Sequence, residues 1–145
     1  MSIIISAGIS IIYRNEAILL VHPNGAVLSD FYGMPKGRVE EGETTLDAAL
    51  RETCEEVGIV VPRSEIDPSK EEIVRYTNKR GKCRKRVHVF PYHITDYSEI
   101  GLDRPVLPVS MLQREEVDWA GFVPFGDAER IVLFRFRDYI RSLRS

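Results

Sequence analysis

At 145 residues the chain is long enough to bury a real core and short enough to form one domain. With 43% hydrophobic and 29% charged residues it is neither disordered nor fibrous, and a formal net charge of -2 favours no class of partner. No apolar run approaches the roughly 18 residues that cross a bilayer, and Ile3-Ile4-Ile5 lacks the preceding positive charge of a signal peptide, so the expected setting is the cytoplasm with no membrane partner.

The segment from Ile3 to Tyr13 is rich in isoleucine and predicts a strand, with Gly8 marking a bulge or a close backbone approach. Arg14-Asn15-Glu16 reads as a turn, Ala17 to His22 as a second strand, and Pro23-Asn24-Gly25 as its end. Ser29 to Gly33 is loop-like and leads through Met34-Pro35-Lys36-Gly37 toward a helix. That helix is expected to start at Thr44, whose spacing from Asp47 resembles a capping box, and to stop at Gly58. Ile59-Val60-Val61 predicts a short β segment closed by Pro62, followed by a polar connection from Arg63 to Ser69. Glu71 to Thr77 and Arg86 to Thr95 are strands flanking Asn78-Lys79-Arg80-Gly81-Lys82, a hairpin turn. Asp96 to Gln113 contains Pro105 and Pro108 and no period, which reads as a long irregular loop. Val117 to Val123 predicts one more strand, anchored by Trp119, and Asp127 to Leu143 a closing helix that buries Ile131, Phe134, Tyr139 and Ile140. This order predicts an α/β fold, a mixed sheet with helices on both faces.

Cys54 and Cys83 are not spaced as a metal-ligand pair and read as reduced thiols. The scattered His22, His88 and His93 read as hydrogen-bonded structural residues.

In the first helix, a turn of about 100° per residue places Leu46, Leu50, Thr53 and Val57 on one side and gathers Glu52, Glu55 and Glu56 in a patch on another. Like charges one turn apart destabilise a helix by a few tenths of a kcal/mol per pair, and the last turn disfavours negative charge. A divalent cation reverses both penalties. Hard oxygen ligands point to magnesium or manganese, which take carboxylate, carbonyl and water oxygens. Glutamates on a helix are by default a solvated face; here the spacing argues otherwise.

Gly37, Glu43, Arg51, Glu52, Thr53, Cys54, Glu55, Glu56, Val57, Gly58 and Ile59 fall on the positions of a pattern that resembles the signature of the Nudix hydrolases. Thr53 departs from it, standing where the pattern has a larger aliphatic, and this touches packing more than chemistry. The resemblance implies the α/β/α sandwich of that family and metal-dependent hydrolysis of a diphosphate linked to another group. It implies Glu52 and Glu56 as the main ligands of Mg2+ (or Mn2+), joined by the Gly37 carbonyl, and Glu55, also in the ligand set, as the base that activates water. Glu115 and Glu116 are its substitutes. Arg51, one turn before Glu55, has the spacing to hold a carboxylate in place.

Three features lean toward a small substrate with a nucleoside diphosphate linkage, of the dinucleoside polyphosphate type. Met34-Pro35-Lys36-Gly37 resembles the Pro-Lys-Gly segment of Nudix enzymes acting on dinucleoside polyphosphates and diphosphoinositol polyphosphates, which makes Lys36 a substrate contact. Tyr76 lies 17 positions past Ile59, close to where dinucleoside polyphosphate hydrolases of the family carry a tyrosine, in a place to stack on a base. Lys79, Arg80, Lys82, Arg84, Lys85 and Arg86 form a basic run without an acid, suited to steering a polyanion, with Arg86 expected on phosphate. ADP-ribose, a nucleoside triphosphate and the capped or triphosphorylated 5′ end of RNA stay open as substrates. The rival reading is a Nudix-like module that binds a nucleotide or RNA without cleaving it. Nucleic acid is the less favoured partner, because a module that only binds has no need of three mutually repelling carboxylates.

Overall fold

The computed structural model describes residues 3–25 and 31–144. Among them, six strands form one mixed sheet: β1 (Ile4–Tyr13), β2 (Ala17–Pro23), β3 (Lys36–Arg38), β4 (Glu72–Thr77), β5 (Cys83–Ile94) and β6 (Val117–Pro124). Their order is β4-β5-β1-β2-β6, with β3 paired to β1. The isoleucine-rich β1 is buried on both faces, which places it centrally. Its buried Ser10 is satisfied by a 2.6 Å hydrogen bond with the Tyr139 hydroxyl.

One edge of β1 is shared. β5 runs parallel along the other edge for the whole length of β1, but β2 pairs only at Ile12 and Tyr13, and β3 takes Ser6, Ala7 and Gly8. Gly8 lies within the strand without a bulge: a Cβ there would overlap the Pro35 carbonyl oxygen and stand 2.8 Å from Lys36 Cβ, so glycine is what lets β3 approach. The hairpin after β1 turns through Arg14 and Asn15, both at positive φ.

One helix, α1 (Thr45–Val57), covers one face of the sheet over Ile9, Ile11, Leu19 and Phe90. Two short helices, α2 (Phe125–Ile131) and α3 (Arg137–Leu143), cover the other over Ile12, Leu20, Val87 and Val89. Each such side chain contributes about 1.5–3 kcal/mol when fully buried. None of the described helices is long and apolar enough to cross a membrane.

Several expectations need correction. Lys36 and Gly37, read as the lead-in to the helix, lie in β3, and β5 begins at Cys83 rather than Arg86. Ile59 and Val61 are buried and Val60 is exposed, the alternation of a strand, yet no neighbour offers a ladder and no strand forms. The long loop after β5 contains two 3-10 turns, Tyr97–Ile100 and Val109–Met111, and buries Ile100, Leu102, Leu107 and Leu112. The closing helix is broken. Tyr32 pairs with Val132, donating from its amide to the Ile131 carbonyl and accepting from the Leu133 amide, and this draws residues 132–133 out of helical geometry. Phe134 consequently faces solvent, while Tyr139 and Ile140 are buried as expected. Of the loop expected over Ser29 to Gly33, residues 29–30 lie outside the described residues, and Tyr32 and Gly33 form isolated bridges.

Candidate active site

The helix that carries the glutamates is fixed from its own ends. Thr44 Oγ1 accepts from the Asp47 amide and Asp47 Oδ2 from the Thr44 amide, both at 3.0 Å, and Gly58 closes the helix at φ 69. A cap of this kind contributes about 1 kcal/mol. The buried stripe is Ala48, Ala49, Thr53, Glu56 and Val57, with Leu46 and Leu50 only partly covered. Small alanines bring the helix close to the sheet and rotate its inward side from the leucines toward Glu56. The three glutamates therefore do not share one environment: Glu56 is 8% exposed, Glu52 is half-buried and Glu55 is exposed. Thr53 is fully buried and bonds its hydroxyl to the Ala49 carbonyl at 2.8 Å, so the departure from the family pattern is absorbed inside the helix.

Arg51 organises the acids around it. Its guanidinium grips Glu43 with two bonds, Nε to Oε2 at 2.7 Å and Nη2 to Oε1 at 2.9 Å. Its Nη1 donates to Glu52 Oε1 at 2.8 Å and, more weakly, to Glu55 Oε2 at 3.3 Å, and Nη2 reaches the Arg38 carbonyl at 3.1 Å. Glu55 was the expected partner, but Glu43 is the bidentate one. The Arg51 hydrogen bond holds the Glu43 carboxyl below the usual carboxylate range.

Facing α1 across a cleft of about 270 Å3 is the short strand β3, so that Lys36, Gly37 and Arg38 line one side and Glu52, Glu55 and Glu56 the other, with Gln113 and Glu116 at the end. Gly37 is directed at α1, where a Cβ would overlap the Glu52 carboxyl group. Only glycine leaves that carboxylate room against the β3 backbone. Burial pushes the Glu56 carboxyl up to about 8, opposed by the Lys36 ammonium and by the Lys36 amide that donates to it. Burial likewise lowers the Lys36 ammonium and raises Glu52, the latter opposed by Arg51.

Among the described residues no group of three or more His, Cys, Asp and Glu side chains converges on a common metal position. Arg51 holds one oxygen each of Glu52 and Glu55. The donor chemistry nevertheless fits a hard divalent cation: a buried carboxylate left high by desolvation, a second carboxylate pressed on a glycine backbone, and no imidazole or thiolate lining the cleft.

Of the remaining expected residues, Glu116 lines the cleft and Glu115 does not. Tyr76 packs edge-on to Phe136 at 6.1 Å, with Lys85 Nζ 5.2 Å and Arg135 Cζ 4.8 Å from its ring centre. Arg86 is outside the cleft lining, directly across from Arg75, with its Nε buried and without a hydrogen-bond partner. It is Lys85 that shares a face with Lys36 and Arg38, because Ile4, Ser6 and Gly8 of β1 pair with Lys85, Arg38 and Lys36 respectively. Lys36 and Arg38 depress the Lys85 ammonium further than its burial alone. Sequence reasoning missed Arg38 and Gln113, and within the basic run it chose Arg86 over Lys85. Strand alternation would have found Lys85 had the start of β5 been known. Two of the histidines are structural, His22 bonding Asp118 at 2.8 Å and His88 bonding Glu71 at 2.9 Å, whereas His93 is exposed.

Comparison with known proteins agrees with this geometry. The NUDIX domain profile matches residues 4–141. A Caenorhabditis elegans Ap4A hydrolase in a binary complex superposes with a TM-score of 0.69 at 23% identity, covering 96% of this chain and 93% of its own. A MutT NUDIX hydrolase from Burkholderia pseudomallei gives a TM-score of 0.70 at 20% identity, covering 97% and 98%. The MutT protein of Methanosarcina mazei Go1 gives 0.67 at 19%, covering 97% and 91%. At these identities the structural likeness is one of fold, and the fold is the α/β/α sandwich.

Proposed function

This chain belongs to the Nudix family, hydrolases that act on phosphoric anhydride bonds, and from that premise we propose that it is a cytoplasmic, single-domain pyrophosphohydrolase that uses Mg2+ or Mn2+ to cleave a dinucleoside polyphosphate of the diadenosine tetraphosphate type. Nudix hydrolases generally use divalent ions. The observation that carries the reading is the cleft itself, which the carboxylates of α1 line together with Lys36 and Arg38 of β3. An anhydride bridge needs cations against its oxygens, and acids hold the ions that supply the rest.

Gly37, Glu52 and Glu56 would hold the ion, with Glu55 in the same set. When bound, the ion supplies charge neutralisation at the phosphate oxygens and lowers the pKa of water. Lys36 and Arg38 bind and orient the phosphates. Glu55, exposed in the cleft, takes the proton from the attacking water. Arg51 fixes the carboxylates of Glu52 and Glu55 through the Glu43 clamp, a positioning role. Support for a polyphosphate substrate comes from the row Arg38, Lys85 and Tyr76, which lies on the sheet face away from α1 and runs from the β3 edge of the cleft over β1 and β5 to β4, three strand spacings or about 14 Å. Tyr76 contributes through the cations on its ring, and Arg86 through charge behind the row.

The test is incubation of the protein and Mg2+ with diadenosine tetraphosphate, ADP-ribose, a nucleoside triphosphate and triphosphorylated RNA, with the products identified. Fastest turnover of the dinucleoside tetraphosphate supports the reading. Absence of turnover on every diphosphate, together with tight, salt-sensitive RNA binding that is indifferent to the glutamates, would favour the rival module seated on the basic hairpin.

A further inference from the structure

The face of the sheet opposite α1 carries a second concavity, unused by the proposed reaction. It lies where α2 and α3 meet, measures about 360 Å3 and is lined by Gly126, Glu129, Arg130, Arg137 and Arg141. From residue 125 onward every cation of the chain is an arginine, at positions 130, 135, 137, 141 and 144. The planar guanidinium bonds an oxyanion with two parallel donors, where lysine offers a point charge.

Most of these arginines are matched within the protein. Arg130 bonds Asp127. Arg141 and Arg144 both bond Glu129, the former at 2.9 Å, and Arg141 also stands 3.6 Å from Asp138. Arg135 lies against the rings of Tyr76 and Phe134. Arg137 differs: its Nε is buried without a hydrogen-bond partner, and among the described residues no carboxylate pairs with it. An N–H withdrawn from water without an acceptor is costly, and the rest of the Arg137 side chain lines the concavity.

We propose that the concavity between α2 and α3 is a binding site for a compact oxyanion, inorganic phosphate or a small phosphate monoester, with the Arg137 guanidinium as its centre and Arg130 and Arg141 at its rim. The surrounding acids set the ligand class. Asp127, Glu129 and Asp138 offset most of the charge of Arg130, Arg141 and Arg144, so a long polyanion lying across the rim gains little. A small dianion that reaches Arg137 completes the unmatched group. The site stands apart from Glu52 and Glu56, so it holds or fails independently of the catalytic reading.

The test follows the Gly126 amide and the Arg137 Nε–Hε resonance of the full-length, 15N-labelled protein as inorganic phosphate, and separately AMP, is added at constant ionic strength. Saturable shifts at both probes in the wild type, with the Gly126 shift abolished in Arg137→Ala and saturating several-fold more weakly in Arg137→Lys, are the expected result. Tighter saturation by AMP identifies the monoester as the ligand, and equal saturation identifies the phosphate group alone. Arg137→Lys keeps the charge and the aliphatic stem, so it decides the matter if the alanine variant fails to fold. The proposal is overturned if neither probe saturates, if sodium chloride produces the same shifts, or if Arg137→Lys binds as tightly as wild type.

Discussion

The two helical layers of this protein cover opposite faces of one sheet and are stabilised by different means. α1 is fixed locally, by the Thr44–Asp47 box at one end and Gly58 at the other, and carries groups that work against folding, above all the buried Glu56 carboxylate. α2 and α3 have no capping side chain at their starts. They are held by burial of Ala128, Val132, Phe136 and Ile140. Both layers are held by buried apolar side chains, but α1 adds local caps at both ends and gives up part of its stability to buried charge, whereas α2 and α3 rest on tertiary contacts alone.

The contrast is tested hardest at Phe136. Phe136→Ala should remove about 3–5 kcal/mol of stability, read as a shift in the urea midpoint, with kcat of the folded fraction unchanged. Glu56→Gln should do the reverse. Even an outer partner of a metal ligand is worth about 10–100-fold, so loss of a direct ligand should cost at least that much in kcat. The metal-free protein should meanwhile melt higher above pH 8, because a neutral amide replaces a carboxylate that burial disfavours. A sharper probe of how α1 meets β3 is Gly37→Ala. Its Cβ displaces Glu52, at a cost of roughly 1–3 kcal/mol in overpacking, and should lower kcat more than it raises KM. The smallest effect expected is on the apolar side and depends on pH. Burial raises the Tyr139 hydroxyl from an ordinary value of 10.0 to about 12. The folded state keeps a proton that the unfolded chain releases, so stability should fall as pH rises from about 10 to 12 and be indifferent to this group below that window. Tyr139→Phe should flatten the alkaline slope of an equilibrium unfolding series.

What was legible in the sequence follows the same division. The α1 cap, its terminal glycine and the Asn78–Lys82 hairpin were readable because each is a local arrangement, and Asn78 Oδ1 indeed accepts from the Arg80 and Lys82 amides. β3 was not, since three residues carry no period and its pairing depends on the absence of a side chain at Gly8. Nor was the break at Val132, which Tyr32 imposes from a hundred residues earlier in the chain. In the site, Lys36, Gly37, Glu52, Glu55 and Glu56, named from the helix pattern and the family resemblance, line one cleft. Gln113 arrives from a distant loop, fixed by its amide on the Glu56 carbonyl at 2.9 Å. Lys85, not Arg86, faces the side of Lys36 and Arg38, since a single step along a strand reverses the face a side chain takes.

The claim beneath these predictions is that the carboxylates of α1, brought against a glycine of β3, seat a divalent cation. Calorimetric titration of Mn2+ into the wild-type protein and into Glu56→Gln tests it directly. Saturable binding by the wild type that is lost in the variant is the predicted result; equal binding by both, or none by the wild type, would contradict it.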